Sequence, residues 1–245
     1  MVTPVPGPRE HAPRDVLPLG DSAAYVDFLD TLDLEVNEAI QRLAAAVRAR
    51  EVPWIRDVVP ALGGVALHFD LEHPALPAAP LRAVADLVQE CVAAGPPPAA
   101  DTAREIELPV CYDPALGLDL LEVAQRLKLT PEEVVRLHAG TQHRVLMVGF
   151  APGHPYLGGL DPALALPRRA SPRAVVPAGS VAIANLQTSI YPFAISGGWN
   201  VIGRTPLALF DAHRAEPSLL APRDRVRFVA ITREEFDRLA SGGGS

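Results

Sequence analysis

Lysine is almost missing from this chain. Lys128 is the only one in 245 residues, and every other basic side chain apart from histidine is an arginine. Phosphate-binding loops of the G-x-x-x-x-G-K-[ST] type need a lysine behind a glycine turn, and no such run occurs. The sequence also lacks a G-x-G-x-x-G turn after a strand, an H-E-x-x-H helix and a G-x-S-x-G elbow. These absences set aside the common ATPase, zinc-hydrolase and serine-hydrolase designs. Cysteine is scarce as well. Cys91 and Cys111 form no C-x-x-C pair, which excludes a zinc knuckle and leaves two buried, reduced thiols as the expectation. No His, Cys, Asp or Glu spacing marks a metal site, and none is expected. Positive charge is outweighed: the formal net charge is -7, which argues against nucleic acid. The N-terminus has no basic start followed by an apolar core, and no apolar run is long enough to cross a bilayer, so the cytoplasm is the expected compartment.

What is there is a globular composition, 49% hydrophobic, punctuated by 26 Pro and 18 Gly. Residues 1–14 read as a flexible Pro-rich lead. Over 15–100 the order is strand, strand, helix, strand, strand, helix, which predicts a small α/β domain. The first helix carries Val36, Ile40, Leu43, Ala44 and Val47 at helical spacing, and the second is expected over about 80–94 behind a proline cluster. "GPPPAAD" begins a linker. From 101 to 238 a strand, "REIELPVCYD", precedes a helix at about 117–128 and another that opens on Thr130, Pro131 and Glu133, a capping-box pattern. Beyond residue 143 short apolar runs alternate with Gly/Pro turns, the texture of an all-β barrel or compact sandwich. Residues 239–245 read as a flexible tail. The fold class is α+β.

Chemistry-bearing residues gather in this second part. Gly149, Gly153, Gly158 and Gly159 allow sharp turns beside Phe150, His154 and Tyr156. "PRRASPR" adds Arg168, Arg169 and Arg173, and "GGWNVIGRTP" adds Trp199 and Arg204. Arginine forks can hold a carboxylate, and tyrosine joins an apolar ring to one hydroxyl. Such parts suit a small carboxylated or amide-bearing ligand. They suit barrel-end packing and structural ion pairs equally, and the residues alone leave that choice open. His138 and His143, five apart across the end of a helix, would not share a helical face and make a weak pair.

In order and separation, His138, "GFAPGHPYLGGL", "PRRASPR", "VPAGSVAIA", Gln187 with "IYP", "GGWNVIGRTP" and "LFD" resemble the small-subunit family of bacterial ATP-dependent 5-oxoprolinase. This is the PxpB/KipI family, with an allophanate hydrolase subunit 1 domain. Weaker echoes, including "PLGDSAAYVDF" and Asn37, extend the likeness from about Asp15 to Phe236. The chain departs from the family pattern at Ser196 and Leu118, where proline is usual. It departs again at Arg223, where glycine is common, so a changed turn between late strands is expected.

The resemblance implies a C-terminal cyclophilin-like β-barrel and a share in hydrolysing 5-oxo-L-proline to L-glutamate. It implies ATP as cofactor, held mainly by or with partner subunits of the PxpC/KipA-like and PxpA-like kinds, and no biotin site in this chain. On this reading His138, Arg173 and Arg204 are the catalytic candidates. His138 or His154 would shuttle a proton, and an arginine would pair with a carboxylate or a phosphorylated intermediate. Phe150, Gly153, His154, Tyr156, Gln187, Tyr191 and Trp199 would bind substrate. His138, Arg173, Trp199 and Arg204 should then line one concave surface. Two other roles remain open: inhibition of a histidine kinase, as a KipI-like regulator, and a carboxyltransferase-like part in a biotin-dependent amide carboxylase.

Overall fold

The computed structural model describes residues 12–28, 33–95 and 103–242. The expected lead lies outside these up to residue 11, and so do 243–245 of the expected tail. The chain divides into two compact units, Met1–Thr102 and Ala103–Ser245.

The first unit is a four-stranded antiparallel sheet with two helices. Strands β1 (Asp15–Pro18), β2 (Ala23–Asp27), β3 (Ile55–Pro60) and β4 (Gly64–Phe69) lie in the order β1-β2-β4-β3. Both edge strands end in a proline, which offers no N–H to a further strand. Along β4, Val65, Leu67 and Phe69 enter the core while Ala66 and His68 face away, as a two-residue period demands. Helix α1 (Leu34–Ala49) starts where the Asp33 carboxylate accepts from the backbone N–H groups of Glu35 and Val36, at 2.8 and 3.1 Å. It buries Val36, Ile40, Leu43, Ala44 and Val47 against the sheet. Helix α2 (Pro80–Ala94) opens on a proline and buries Val84, Val88 and Cys91, one stripe of a 3.6-residue period.

The second unit is built on a closed seven-stranded barrel. Its strands are β5 (Glu105–Cys111), β6 (His143–Val148), β7 (Pro155–Gly158), β9 (Ser180–Ala184), β10 (Gln187–Ile190), β12 (Asn200–Arg204) and β13 (Arg225–Ile231). They close in the order β10-β7-β6-β13-β5-β12-β9, and β8 (Arg173–Val176) and β11 (Ile195–Gly197) form a separate two-stranded sheet. Closure leaves the barrel no free edge. β5 and β13 run parallel over seven residue pairs, with Glu105 opposite Arg225 and Glu107 ion-paired to Arg227 on one face and Leu108 beside Phe228 on the other. Helices α3 (Leu120–Leu127) and α4 (Pro131–Gly140) pack Leu120, Val123, Ala124 and Val134 into the same core. The capping box at Thr130 and Glu133 is formed in both directions. Helix α5 (Arg233–Gly242) runs four residues into the expected tail.

Asp224 ties the start of β13 to the start of β5. It is buried and accepts from Arg104 Nε and Nη2 at 3.0 and 2.6 Å, across 120 residues of sequence. Arg223 before it takes φ 78°. An arginine therefore occupies the left-handed region that glycine enters without steric cost, so this turn is strained.

Candidate functional site

Residues alternate along the barrel strands between an inner and an outer face. Val181, Ile183, Ile190 and Ile202 join the main core, whereas Ala182, Ala184 and Val201 join a second cluster with Val176, Tyr191 and Trp199. Strand register aligns Tyr156, Ser189, Ala182 and Val201 in one row across β7, β10, β9 and β12. Small residues in the middle of that row make a shallow wall. The β8–β11 sheet covers it, with Val176 and Ile195 turned toward it.

The 149–154 loop sits at the edge of this wall. Gly149 N–H donates to the His154 carbonyl and His154 N–H to the Ala151 carbonyl, both at 3.0 Å. Phe150 and Gly153 take φ 73° and 72°. A Cβ on Gly153 would come within 2.7 Å of the Phe210 Cβ, so only glycine fits. The turn carries His154 inward, 4% exposed, and leaves Phe150 outward, 72% exposed and edge-on to the imidazole at 5.4 Å. A bulky residue held at positive φ is a strained one, and such strain clusters at functional sites.

Three more rings join this group. Tyr156 and Tyr191 lie 5.0 and 5.3 Å from the His154 ring, and Trp199 lies 5.9 Å from Tyr156. Burial raises the pKa of both tyrosines, so both remain neutral donors. The "GGW" run has a packing reason: a Cβ on Gly197 would lie 2.2 Å from the Tyr191 hydroxyl. Arg168 stands over the Trp199 ring at 5.9 Å, and among the described residues it makes no ion pair.

Ser189 sets the state of His154. Its hydroxyl donates to the Pro155 carbonyl at 2.8 Å and lies 2.8 Å from His154 Nε2. One hydroxyl has one proton, so toward the ring it accepts, and Nε2 carries the hydrogen. Nδ1 is then a bare lone pair, buried and without a partner. Burial pushes the imidazole down to about 4.

Asp119 clips the cover to the wall. Only 2% of its side chain is exposed, and it accepts from both Nη atoms of Arg173 at 2.7 Å, from Arg169 Nη1 at 2.5 Å and from the Val201 N–H at 2.7 Å. Arg173 opens β8, Val201 lies in the wall, and the Arg169 N–H holds the Gly198 carbonyl at 2.7 Å. Asn200 Nδ2 reaches the Pro167 and Ile183 carbonyls at 3.1 Å, which fixes the segment leading to Arg168.

The sequence candidates therefore separate. Phe150, Gly153, His154, Tyr156, Tyr191 and Trp199 meet in one region, and Gln187 lies on the same outer face of β10, two residues from Ser189. Arg173 is there too, but its fork is filled by Asp119. Arg204 donates Nε to the Ala178 carbonyl at 2.7 Å and braces the turn into β9. His138 does not share a concave surface with the others, because it points into the barrel. Its ring nitrogens meet the Tyr112 hydroxyl at 2.8 Å and Thr188 at 3.2 Å, and it stacks on Phe228 at 4.5 Å. Burial holds it well below its usual protonation range, with the His143 ring beside it adding to the effect. In this chain both His138 and His154 are neutral imidazoles near neutral pH. His143 shares no helical face with His138, yet lies 5.0 Å from it because β6 folds back, and its Nε2 donates to the His138 carbonyl at 3.0 Å. Asp119, Ser189 and Asn200 are not among the sequence candidates. Only Asp119 leaves a local signal, as a helix-starting residue in "GLDLLE".

Comparison with known proteins agrees with this architecture. The family described as carboxyltransferase domain, subdomain C and D, matches residues 14–220. The B subunit of 5-oxoprolinase from Bacillus subtilis (strain 168) is 39% identical over 223 residues, covering 89% of this chain and 93% of that protein. Its namesake in Escherichia coli O157:H7 is 40% identical over 212 residues, covering 86% and 93%. Among solved structures, TTHA0988 superposes with a TM-score of 0.71 at 40% identity, over 85% of this chain and 40% of that one, so this chain spans about two fifths of its length. The chain belongs to the carboxyltransferase subdomain C and D family and, within it, groups with the 5-oxoprolinase B subunits.

Proposed function

We propose that this chain is the B subunit of an ATP-dependent 5-oxoprolinase, and that it supplies one wall of a composite site in which 5-oxo-L-proline is opened to L-glutamate. The observation that carries the reading is near full-length similarity to two 5-oxoprolinase B subunits. The wall adds chemical support. It offers aromatic faces, a neutral histidine and one arginine outside any ion pair among the described residues, parts that suit a small ring bearing a carboxylate. PxpC/KipA-like and PxpA-like subunits would complete the site and carry ATP.

In this reading Arg168, not Arg173 or Arg204, takes the substrate carboxylate, since Asp119 and Ala178 already hold the other two. Tyr156 and Tyr191 bound the ring, and Trp199 orients Arg168. Removing a charge-assisted hydrogen bond costs on the order of 1.5–3 kcal/mol. Arg168→Ala in the reconstituted complex should therefore lower kcat/KM for 5-oxoproline by roughly tenfold or more, chiefly through KM. The side chain is exposed, so assembly should be unaffected. An unchanged KM would remove Arg168 from the site.

A further inference from the structure

Helix α2 carries two apolar stripes and buries only one of them. Val84, Val88 and Cys91 turn toward the core of the first unit. Leu81, Ala85 and Val92 continue from Val88 along a second line of helical spacing, and Leu81 and Val92 stay 37% and 50% exposed. This second stripe lines a cleft of about 580 Å³ against Pro13 and Val16, where β1 begins. Small-molecule sites run from about 300 to 1,000 Å³. Ala12, Pro13 and Val92 also line a neighbouring cavity of about 180 Å³ that reaches Leu43 and Ala46 of α1. The apolar space therefore continues from α2 toward α1.

The polar groups around the cleft decide what fits it. The Asp15 carboxylate accepts from the Val16 N–H at 2.8 Å, and Arg82 is held by Asp86 at 3.0 Å. Pro13 offers no N–H, and neither does Pro18 at the end of β1. Gln89 and Arg14 remain, both exposed. Among the described residues the Arg14 side chain makes no ion pair or hydrogen bond. A peptide laid in this cleft would bring a donor and an acceptor with every residue and find few partners. A hydrocarbon chain needs none, and one carboxylate at its end would meet the free Arg14 fork.

We infer that this cleft is a binding site for a medium-chain fatty acid, with its hydrocarbon against Leu81, Ala85, Val88 and Val92 and its carboxylate on Arg14. The site lies wholly within the first unit and goes beyond the proposed reaction, whose substrate carries no such chain. Affinity should follow chain length, because each buried methylene strengthens binding roughly fourfold.

Calorimetric titration of dodecanoate into the full chain, kept below the concentration at which it forms micelles, should give one saturable site per chain. Decanoate should bind roughly fifteenfold more weakly. Dodecanol has the same chain without the charge. It should bind roughly tenfold more weakly than dodecanoate, and Arg14→Ala should erase that difference. Val92→Asp should abolish binding by setting a like charge in the apolar lining. Val92 is half exposed, so the fold should survive, which circular dichroism checks. No saturable binding in the parent, or equal binding in the parent and a folded Val92→Asp, would overturn the site. Equal affinity of the parent for dodecanol and dodecanoate would also overturn it, since an apolar patch without charge selection would give the same result. Self-association of the parent in sedimentation, lost in Val92→Asp, would mean that a second copy fills the cleft, and the inference would fall.

Discussion

Asp119→Ala is expected to lower the stability of the barrel unit by about 3 kcal/mol and to free the β8–β11 sheet from the wall. Breaking a buried ion pair from one side costs about 3–5 kcal/mol, because the partners keep their charge and lose its counterpart. The lower end applies here, since the Arg169 and Arg173 side chains are 23% and 25% exposed and can recover some water. Asp119→Asn keeps an acceptor and drops the charge, so its loss should be smaller. Urea unfolding followed through Trp199 in a Trp54→Phe background reports on this unit, as these are the only two tryptophans. Limited proteolysis between 166 and 176 should quicken in the alanine variant. A stability within about 1 kcal/mol of the parent, a margin typical of a surface substitution, would mean that Asp119 is not the clip.

Acid should destabilise the barrel unit well before carboxylates titrate. Burial lowers His138, His143 and His154 below the ordinary value of 6.5. The sign follows from proton counting. Above that value neither folded nor unfolded chain takes up a proton on these rings, and the contribution is constant. Below it the unfolded chain binds protons that the folded chain refuses, so stability falls as pH falls until each folded-state value is reached. Each histidine costs up to about 1.4 kcal/mol per pH unit in that window. For His154, from 6.5 to about 4, this comes to roughly 3 kcal/mol. The urea midpoint read through Trp199 should therefore drop steadily between about pH 6.5 and 5, and His154→Gln should flatten about a third of the slope. A midpoint unchanged between pH 7 and 5 would contradict the burial of these rings.

Local features are legible in the sequence and distant pairings are not. The Thr130–Glu133 cap, the α1 stripe and the α2 span are written within a few turns of helix, so periodicity and capping chemistry find them. Arg173 stands out as a carboxylate binder, and it does bind one. The carboxylate is Asp119, 54 residues upstream, which no local pattern connects to it. His138 is a catalytic candidate through the family resemblance alone, and its position follows from β10, where neighbouring residues face opposite ways. Thr188 therefore draws His138 into the core while Ser189 holds His154 outside it. Parallel pairing of β5 with β13 joins the two ends of the unit and cannot be read from either strand alone.

As a B subunit, this chain should be indispensable to 5-oxoprolinase turnover. The most direct measurement is glutamate formation from 5-oxoproline and ATP by the reconstituted complex, with this chain present and then withheld. Turnover should appear only when it is present and should return on adding it back. Equal turnover without it would mean that this chain is not a required subunit.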